Sequence, residues 1–136
     1  MDKWANKDAL LDLKVPRQRH TIADVGDIWI HGLTVGQKDE YEDAVFKVTA
    51  GSRQVRINNA RAMLIIRCAH DQHGKRLFGA ADLGRVCDMP ATIVEPIYEK
   101  ARELSGMATG EVEEMVKNSE AITGPDSGTG SPSTSA

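Results

Sequence analysis

Few side chains in this chain of 136 residues have the type and spacing that suit metal binding. The main group of potential ligands comprises Cys68, His70, His73 and Cys87. Structural zinc sites use cysteines paired two to four residues apart, whereas each thiol here stands alone. On a helix, Cys68 and His70 would also point about 200° apart. We therefore expect two small thiols and two polar histidines, and no metal site.

Motifs of the common enzyme classes are missing from the sequence. It shows no nucleophile elbow, phosphate-binding glycine loop, dinucleotide-binding glycine pattern or His-Glu zinc motif. Aromatic residues make up only 4% of the chain, which disfavours a ring-lined ligand pocket or a base-stacking platform. The sequence thus predicts a non-enzymatic protein that holds no cofactor.

Residues 80–101 suggest DNA binding as an alternative function, because they read as a helix-turn-helix with its turn near Asp88-Met89. A recognition helix places Arg, Lys, Gln or Asn at its exposed N-terminal positions. Here those positions supply Glu95 and Glu99, and carboxylates are unfavourable against a polyanion. A plain helical hairpin is the favoured interpretation, so we expect no nucleic acid partner.

A C-terminal apolar stripe is the third candidate site. Val112, Met115 and Val116 share one face of a short acidic helix, and Met107 precedes it. Such a stripe could dock onto a partner helix, or it could pack back on its own domain as core, and the pattern weighs these alternatives about equally.

Charge is distributed unevenly along the chain, whose formal net charge is −3. Residues 53–76 contain six basic residues and one acidic residue, whereas residues 77–136 contain ten acidic and four basic residues. The two segments could neutralise each other in the fold, which is the favoured interpretation, or form separate faces for partners. In the second case Arg53, Arg56 and Arg61 are candidate contact residues.

Composition separates a central domain from two terminal segments. We predict an N-terminal arm over residues 1–17, a folded domain over 18–123 and a flexible Gly/Ser/Pro/Thr tail over 124–136. Residues 1–14 fit either a frayed helix or a docking arm. No apolar run approaches the length of a membrane span and no secretory signal opens the chain, so we expect no membrane partner and a cytoplasmic protein held together by its core.

Secondary structure in the first half begins with a β-hairpin whose two-residue turn lies near Gly26-Asp27. A capping box of Thr34 and Gln37 starts an amphipathic helix to about Val48. Residues 53–57 could form a short strand, and Asn58 or Asn59 could cap the next helix. The apolar run Ala62–Ile66 is either a buried helix or a buried strand, although Met, Leu and Ala favour the helix.

Helical segments dominate the second half. A polar turn over 71–76 precedes a helical segment from Ala80 to Asp88. Pro90 opens what we predict to be the longest helix, which Pro96 should kink or delay and Gly106 should end. A last helix is predicted from Thr109 to Asn118. The fold class is α+β: a small, mainly helical domain with an N-terminal β-hairpin and a disordered C-terminal tail.

The order of these elements resembles the tail assembly chaperones of long-tailed bacteriophages over residues 20–120. The resemblance is carried by the hairpin 25–34, the acidic helix with Glu40-Tyr41-Glu42, the central run 61–66, the turn 71–78, Ala81-Asp82-Leu83 and the C-terminal run 113–120. Its most characteristic piece is the ending Lys117-Asn118-Ser119.

This resemblance implies a non-enzymatic factor of viral tail assembly in the host cytoplasm. Its partner would be the tape measure protein, with the tail tube protein and self-association as further contacts, and it would leave before the virion is complete. In this family a short product of this kind is often accompanied by a longer one made by ribosomal frameshifting near its end, and the change of composition at Gly124 fits such a point.

Overall fold

The structure, a computed structural model, describes residues 3–51 and 57–123 as a small α+β domain. In chain order the elements are α1 (Lys7–Leu11), β1 (Arg17–Ile22), β2 (Gly26–His31), α2 (Val35–Gly51), α3 (Ile57–Cys68), β3 (Ala69–His70), a 3-10 turn (Ala80–Asp82), α4 (Leu83–Cys87), α5 (Ala91–Leu104) and α6 (Glu111–Thr123). The mainly helical α+β class with an N-terminal hairpin is confirmed. The predicted tail at 124–136 and most of the strand predicted at 53–57 lie outside the described residues.

Strands β1 and β2 form the predicted hairpin, but the turn lies earlier than expected. Arg17 pairs with His31 and Ile22 with Gly26, so Gly26 and Asp27 belong to β2. The loop is Ala23-Asp24-Val25, where Asp24 adopts a φ of +67°. The turn predicted at Gly26-Asp27 is therefore wrong: the short polar side chain of Asp24 tolerates the left-handed conformation that the loop needs.

Strand β3 adds a third antiparallel strand beside β2, with Ile30 opposite Ala69 and Trp29 opposite His70. Strand β3 follows directly after α3. The apolar run Ala62–Ile66 lies inside α3, so it is a helix and not a strand. Every residue from Ala62 to Ile66 is buried because α3 contacts neighbours on several sides, including α2, α4, α5 and α6. The core is centred on this helix.

Helix α2 starts at the predicted capping box. The Thr34 hydroxyl accepts from the Gln37 amide at 3.1 Å, and the Gln37 side chain accepts from the Thr34 amide at 2.9 Å. Tyr41 and Val45 are buried on one face of this amphipathic helix, and the Tyr41 hydroxyl donates to the Ala60 carbonyl at 2.7 Å. This bond ties α2 to α3. The helix continues to Gly51, past the expected end at Val48.

Helix α3 begins at Ile57, before either asparagine that we expected to cap it. The prediction of a cap at Asn58 or Asn59 is therefore wrong. Asn59 instead accepts a hydrogen bond from the Cys87 thiol at 3.3 Å, so its side chain links α3 to α4.

Helix α5 begins directly after Pro90 and continues through Pro96, so Pro96 does not delay it. With 14 residues it is shorter than α2, which has 17, and the prediction that it is the longest helix is wrong. Gly106 ends it as predicted: with a φ of +74° it donates to the Glu103 carbonyl, while Met107 donates to the Arg102 carbonyl. These two bonds form a Schellman motif.

Helix α6 starts at Glu111, two residues later than predicted, because Gly110 adopts a φ of +86°, which lies outside the helical region. The Glu111 carboxylate accepts from the Ala108 amide at 2.9 Å in the turn before the helix. It packs on α2 and α3. Within the described part of the chain, no helix is both long enough and apolar enough to cross a membrane.

Candidate functional site

The predicted C-terminal stripe is part of the core. Val112, Val116 and Met107 are buried, and Met115 is partly buried against the same cluster. Of the two alternatives for this stripe, the structure shows the one in which it packs on its own domain. These side chains therefore form no exposed stripe for a partner in the folded chain.

Arg61 lies at the centre of an ion-pair network that connects three helices. Its guanidinium donates to Glu113 of α6 at 2.8 Å and to Glu95 of α5 at 3.1 Å, and it lies 5.1 Å above the ring of Tyr98. The Tyr98 hydroxyl also donates to Glu113, at 3.3 Å. Arg61 thus neutralises acidic residues of its own domain, as the favoured interpretation of the charge layout predicts. Arg53 and Arg56 lie outside the described residues.

Electrostatics keep both members of this pair charged. Burial acts to raise the pKa of Glu113, but hydrogen bonds from Arg61 and Tyr98 contribute to a net lowering. The hydrogen bond to Glu113 in turn raises the pKa of Arg61. An ionised carboxylate beside a guanidinium is suited to holding helices together.

The candidate metal ligands do not converge. Cys68 is buried at the end of α3, and this burial raises the pKa of its thiol to about 12. His70 turns its Nδ1 to the Cys68 carbonyl at 2.7 Å, and His73 lies in the exposed turn after β3. Among the described residues, no group of three or more His, Cys, Asp or Glu side chains is placed to hold a metal ion.

Two histidines stack where sequence reasoning expected nothing. The rings of His31 and His70 lie 3.9 Å apart between centroids, at 12° to each other. The Nε2 atom of His31 is buried, and no hydrogen-bond partner for it lies in the described part of the chain. Burial, followed by charge on His70 and Arg17, lowers the pKa of His31. Only the pairing of β2 with β3 creates this contact, so residue spacing along the chain could not reveal it.

The helix-turn-helix candidate is present as two helices joined by residues 88–90, but its second helix presents carboxylates. Helix α5 buries Ile97, Tyr98, Ala101 and Arg102 against the domain. Its exposed residues include Glu95, Glu99 and Glu103. Such a surface repels phosphates, so the geometry does not favour the DNA-binding alternative.

An open groove with a mixed apolar and polar lining lies around Met89, and we call it the Met89 groove. It joins two depressions of about 330 Å³ and about 110 Å³ that share Val86 and Met89. Its other lining residues are Arg61, Ala62, Leu77, Phe78, Asp82, Arg85, Cys87, Ala91, Val94 and Glu95. Leu77 is partly exposed beside it, at 42%. The sequence signal that could have identified this groove is the pair Leu77-Phe78 directly after a polar turn.

The N-terminal arm, residues 3–16, exposes large apolar side chains. Trp4 is 88% exposed, and Leu10, Leu11 and Leu13 are also exposed. Helix α1 buries no residue. Its N-terminus is capped by the Asn6 side chain, which accepts from the Ala9 amide at 2.8 Å. The sequence left a frayed helix and a docking arm open for these residues, and the structure shows a short, exposed helix there.

No protein-family model, curated protein or solved structure that was compared with the chain matches it.

Proposed function

We propose that this protein is a tail assembly chaperone of a long-tailed bacteriophage, a non-enzymatic factor that binds the tape measure protein in the host cytoplasm. The observation that carries the proposal is the Met89 groove, an open groove in which Leu77, Phe78 and Met89 are apolar lining residues. The order of elements along residues 20–120 supports the same family.

The shape and lining of the groove suit a helical client. An amphipathic helix places apolar side chains at intervals of three and four residues and can lay them along such a groove. Leu77, Phe78 and Met89 offer the apolar contacts, while Arg85 and Glu95 supply charges of both signs at the rim. A tape measure protein is long and helical, so many copies of one groove could cover it.

Methionine at the centre of the groove fits a client with a varied sequence. Its unbranched, polarizable side chain adapts to differently shaped partners, which is why methionine recurs at promiscuous binding surfaces. A chaperone that covers successive segments of one long protein needs this tolerance. Contacts of small area are typical of weak, transient complexes, and this would allow the chaperone to leave before the virion is complete.

Co-expression with the tape measure protein of the same phage tests the proposal. We expect the client to stay soluble and to elute together with the chaperone. Leu77→Asp should abolish the complex, because it puts a carboxylate among the apolar lining residues of the groove. Val35→Asp is the matched control, since Val35 is exposed at 82% and does not line the groove. A client that stays insoluble, with no shared elution peak, contradicts the proposal.

The life cycle implied by the resemblance has its own test. Antibodies against this chain should detect it in infected cells together with a longer frameshifted product, and should detect neither in purified virions. The tail tube protein is a second client to include in the same co-expression.

A mobility shift with duplex DNA at low salt would instead favour the helix-turn-helix function of residues 80–101.

A further inference from the structure

Within a single chain the N-terminal arm leaves its large apolar side chains exposed. Trp4, Leu10, Leu11 and Leu13 leave their apolar surfaces in water, although burying each would be favourable. Helix α1 has five residues, and isolated helices shorter than about 12 residues are marginal in water. An arm of this kind gains its order from the surface that covers it.

A second shallow groove on the same chain offers such a surface, and we call it the β1–α5 groove. It has a volume of about 210 Å³ and lies between the end of β1 and the first turns of α5. Ile22, Ile93 and Pro96 form its apolar part, and its other lining residues are His20, Thr21, Ala23 and Thr92. In the single chain the arm does not cover it, since Trp4 and the arm leucines remain exposed.

The topology places the arm and this groove at opposite ends of one strand. The arm enters β1 at Arg17, where the Pro16 carbonyl accepts from the Gly32 amide at 2.8 Å, whereas the groove lies at the Ile22 end. Six strand residues span about 20 Å. Strand β1 is also at the edge of the described sheet. When two copies set their β1 edges antiparallel, the arm of each copy therefore runs past the groove of the other.

Charge agrees with this arrangement. The arm and the first residue of β1 carry Lys3, Lys7, Lys14 and Arg17 against Asp8 and Asp12. Helix α5, which forms one wall of the groove, exposes Glu99 and Glu103, each about half exposed although paired within the chain to Arg102 and Lys100. A basic arm against an acidic helix steers association in this orientation and disfavours a pairing of arm with arm.

We propose that the chain forms a two-fold dimer in which the N-terminal arm of each copy occupies the β1–α5 groove of the other. The exchange satisfies both exposed surfaces at once, and because the contact is reciprocal the assembly closes at two copies. The dimer does not depend on the proposed function, because the Met89 groove takes no part in it.

The first experiment measures the mass of the full chain by light scattering and sedimentation equilibrium over a range of concentrations. We expect a dimer whose dissociation constant rises at least about tenfold in the double variant Trp4→Ser/Leu11→Ser, as lost burial of two large side chains requires. Val35→Ser is the matched control, since this valine is exposed at 82% and lines neither groove. Neither Trp4 nor Leu11 belongs to the core, so circular dichroism should show folded domains throughout.

The second experiment identifies which surfaces meet. Leu10→Cys and Thr92→Cys are made as separate proteins, each in a Cys87→Ser background, and are then mixed under mild oxidation. We expect a disulfide-linked dimer in the mixture and little in either protein alone. Thr92→Arg, an exposed change in the groove, should weaken the dimer as the arm variant does.

Three outcomes overturn the proposal. One is a monomer at every concentration, including a monomer in which the arm covers its own groove. Another is a dimer that the arm variant leaves unchanged. The third is cross-linking of Leu10→Cys to itself as strongly as to Thr92→Cys. Client binding is measured separately with Leu77→Asp, so loss of the dimer with an intact client complex, or the reverse, distinguishes the two proposals.

Discussion

Helices α1 and α6 both mix apolar and charged residues, but only α6 buries its apolar side chains. Helix α1 leaves Leu10 and Leu11 in solvent, whereas α6 buries Val112 and Val116. The difference lies in what each helix meets. Helix α6 packs on α2 and α3, and α1 buries no residue. An apolar pattern therefore identifies a surface that needs a partner without saying whether that partner belongs to the same chain.

Polar contacts deepen the contrast between the two helices. Glu113 of α6 binds Arg61, Glu111 binds Lys38 of α2 at 3.2 Å, and the Arg102 guanidinium donates to the Met107 carbonyl just before α6 at 2.6 Å. Among the side-chain hydrogen bonds described for the arm, there is the helix cap at Asn6 and no contact to another helix. The helical half should consequently respond strongly to single substitutions, and the arm should not.

The largest difference is expected between two leucines. Leu64→Ala should lower the free energy of unfolding by about 2–5 kcal/mol, because Leu64 is fully buried in α3 and its loss leaves a cavity. Leu11→Ala in the arm should change it by less than about 0.5 kcal/mol. Urea unfolding at a concentration where the chain is monomeric measures both. Similar losses in the two variants would show that the arm belongs to the core.

A close approach between the hairpin and α5 gives the next effect. A Cβ atom on Gly32 would overlap the carbonyl oxygen of Leu104, so Gly32→Ala must push the end of β2 away from α5. We expect a loss of about 1–3 kcal/mol. Gly36→Ala is the control: its Cβ meets open space at the start of α2 and should add up to about 1 kcal/mol. A neutral Gly32→Ala would mean that the hairpin is docked as loosely as the arm.

The ion-pair network should give a destabilisation of about the same size. Arg61→Ala should cost about 1–3 kcal/mol, because it leaves the partly buried Glu113 without its guanidinium. Lys47→Ala, which breaks an exposed pair with Asp43, should cost less than about 0.5 kcal/mol. Because the pKa of Glu113 is lowered, its contribution is present above its ordinary value of 4.5 and is lost as pH falls through the folded value. If Arg61→Ala leaves the pH dependence of the free energy of unfolding unchanged at acidic pH, this role is contradicted.

The smallest effect concerns the stacked histidines. Since the pKa of His31 is lowered in the fold, protonation favours unfolding, and stability should decline as pH falls below the ordinary imidazole value of 6.5. His31→Phe keeps a ring against His70 and should flatten the profile between about pH 7.5 and pH 5. Thermal unfolding across this range is the measurement, and a steeper decline in His31→Phe would exclude the stack as its source.

Local chemistry could be predicted from the sequence, and tertiary contacts could not. The Thr34–Gln37 box and the end at Gly106 were predictable because each depends on neighbouring residues. The hairpin turn was placed wrongly because Asp24 took the left-handed position usually given to glycine. The C-terminal stripe could not be assigned to core or surface, because the assignment depends on how α6 packs against α2 and α3. The Met89 groove and the histidine stack arise only when distant elements meet.

The buried thiol of Cys68 provides a natural reporter of motion. A thiol with a pKa of about 12 is almost entirely protonated at neutral pH, and the protonated form does not react with alkylating reagents. Cys68 also lies at the centre of the core, where no reagent reaches it in the closed state. Its modification rate should therefore count the openings of the domain, with no label added. Measuring the modification rate with and without a bound client would show how much binding reduces the opening of the domain.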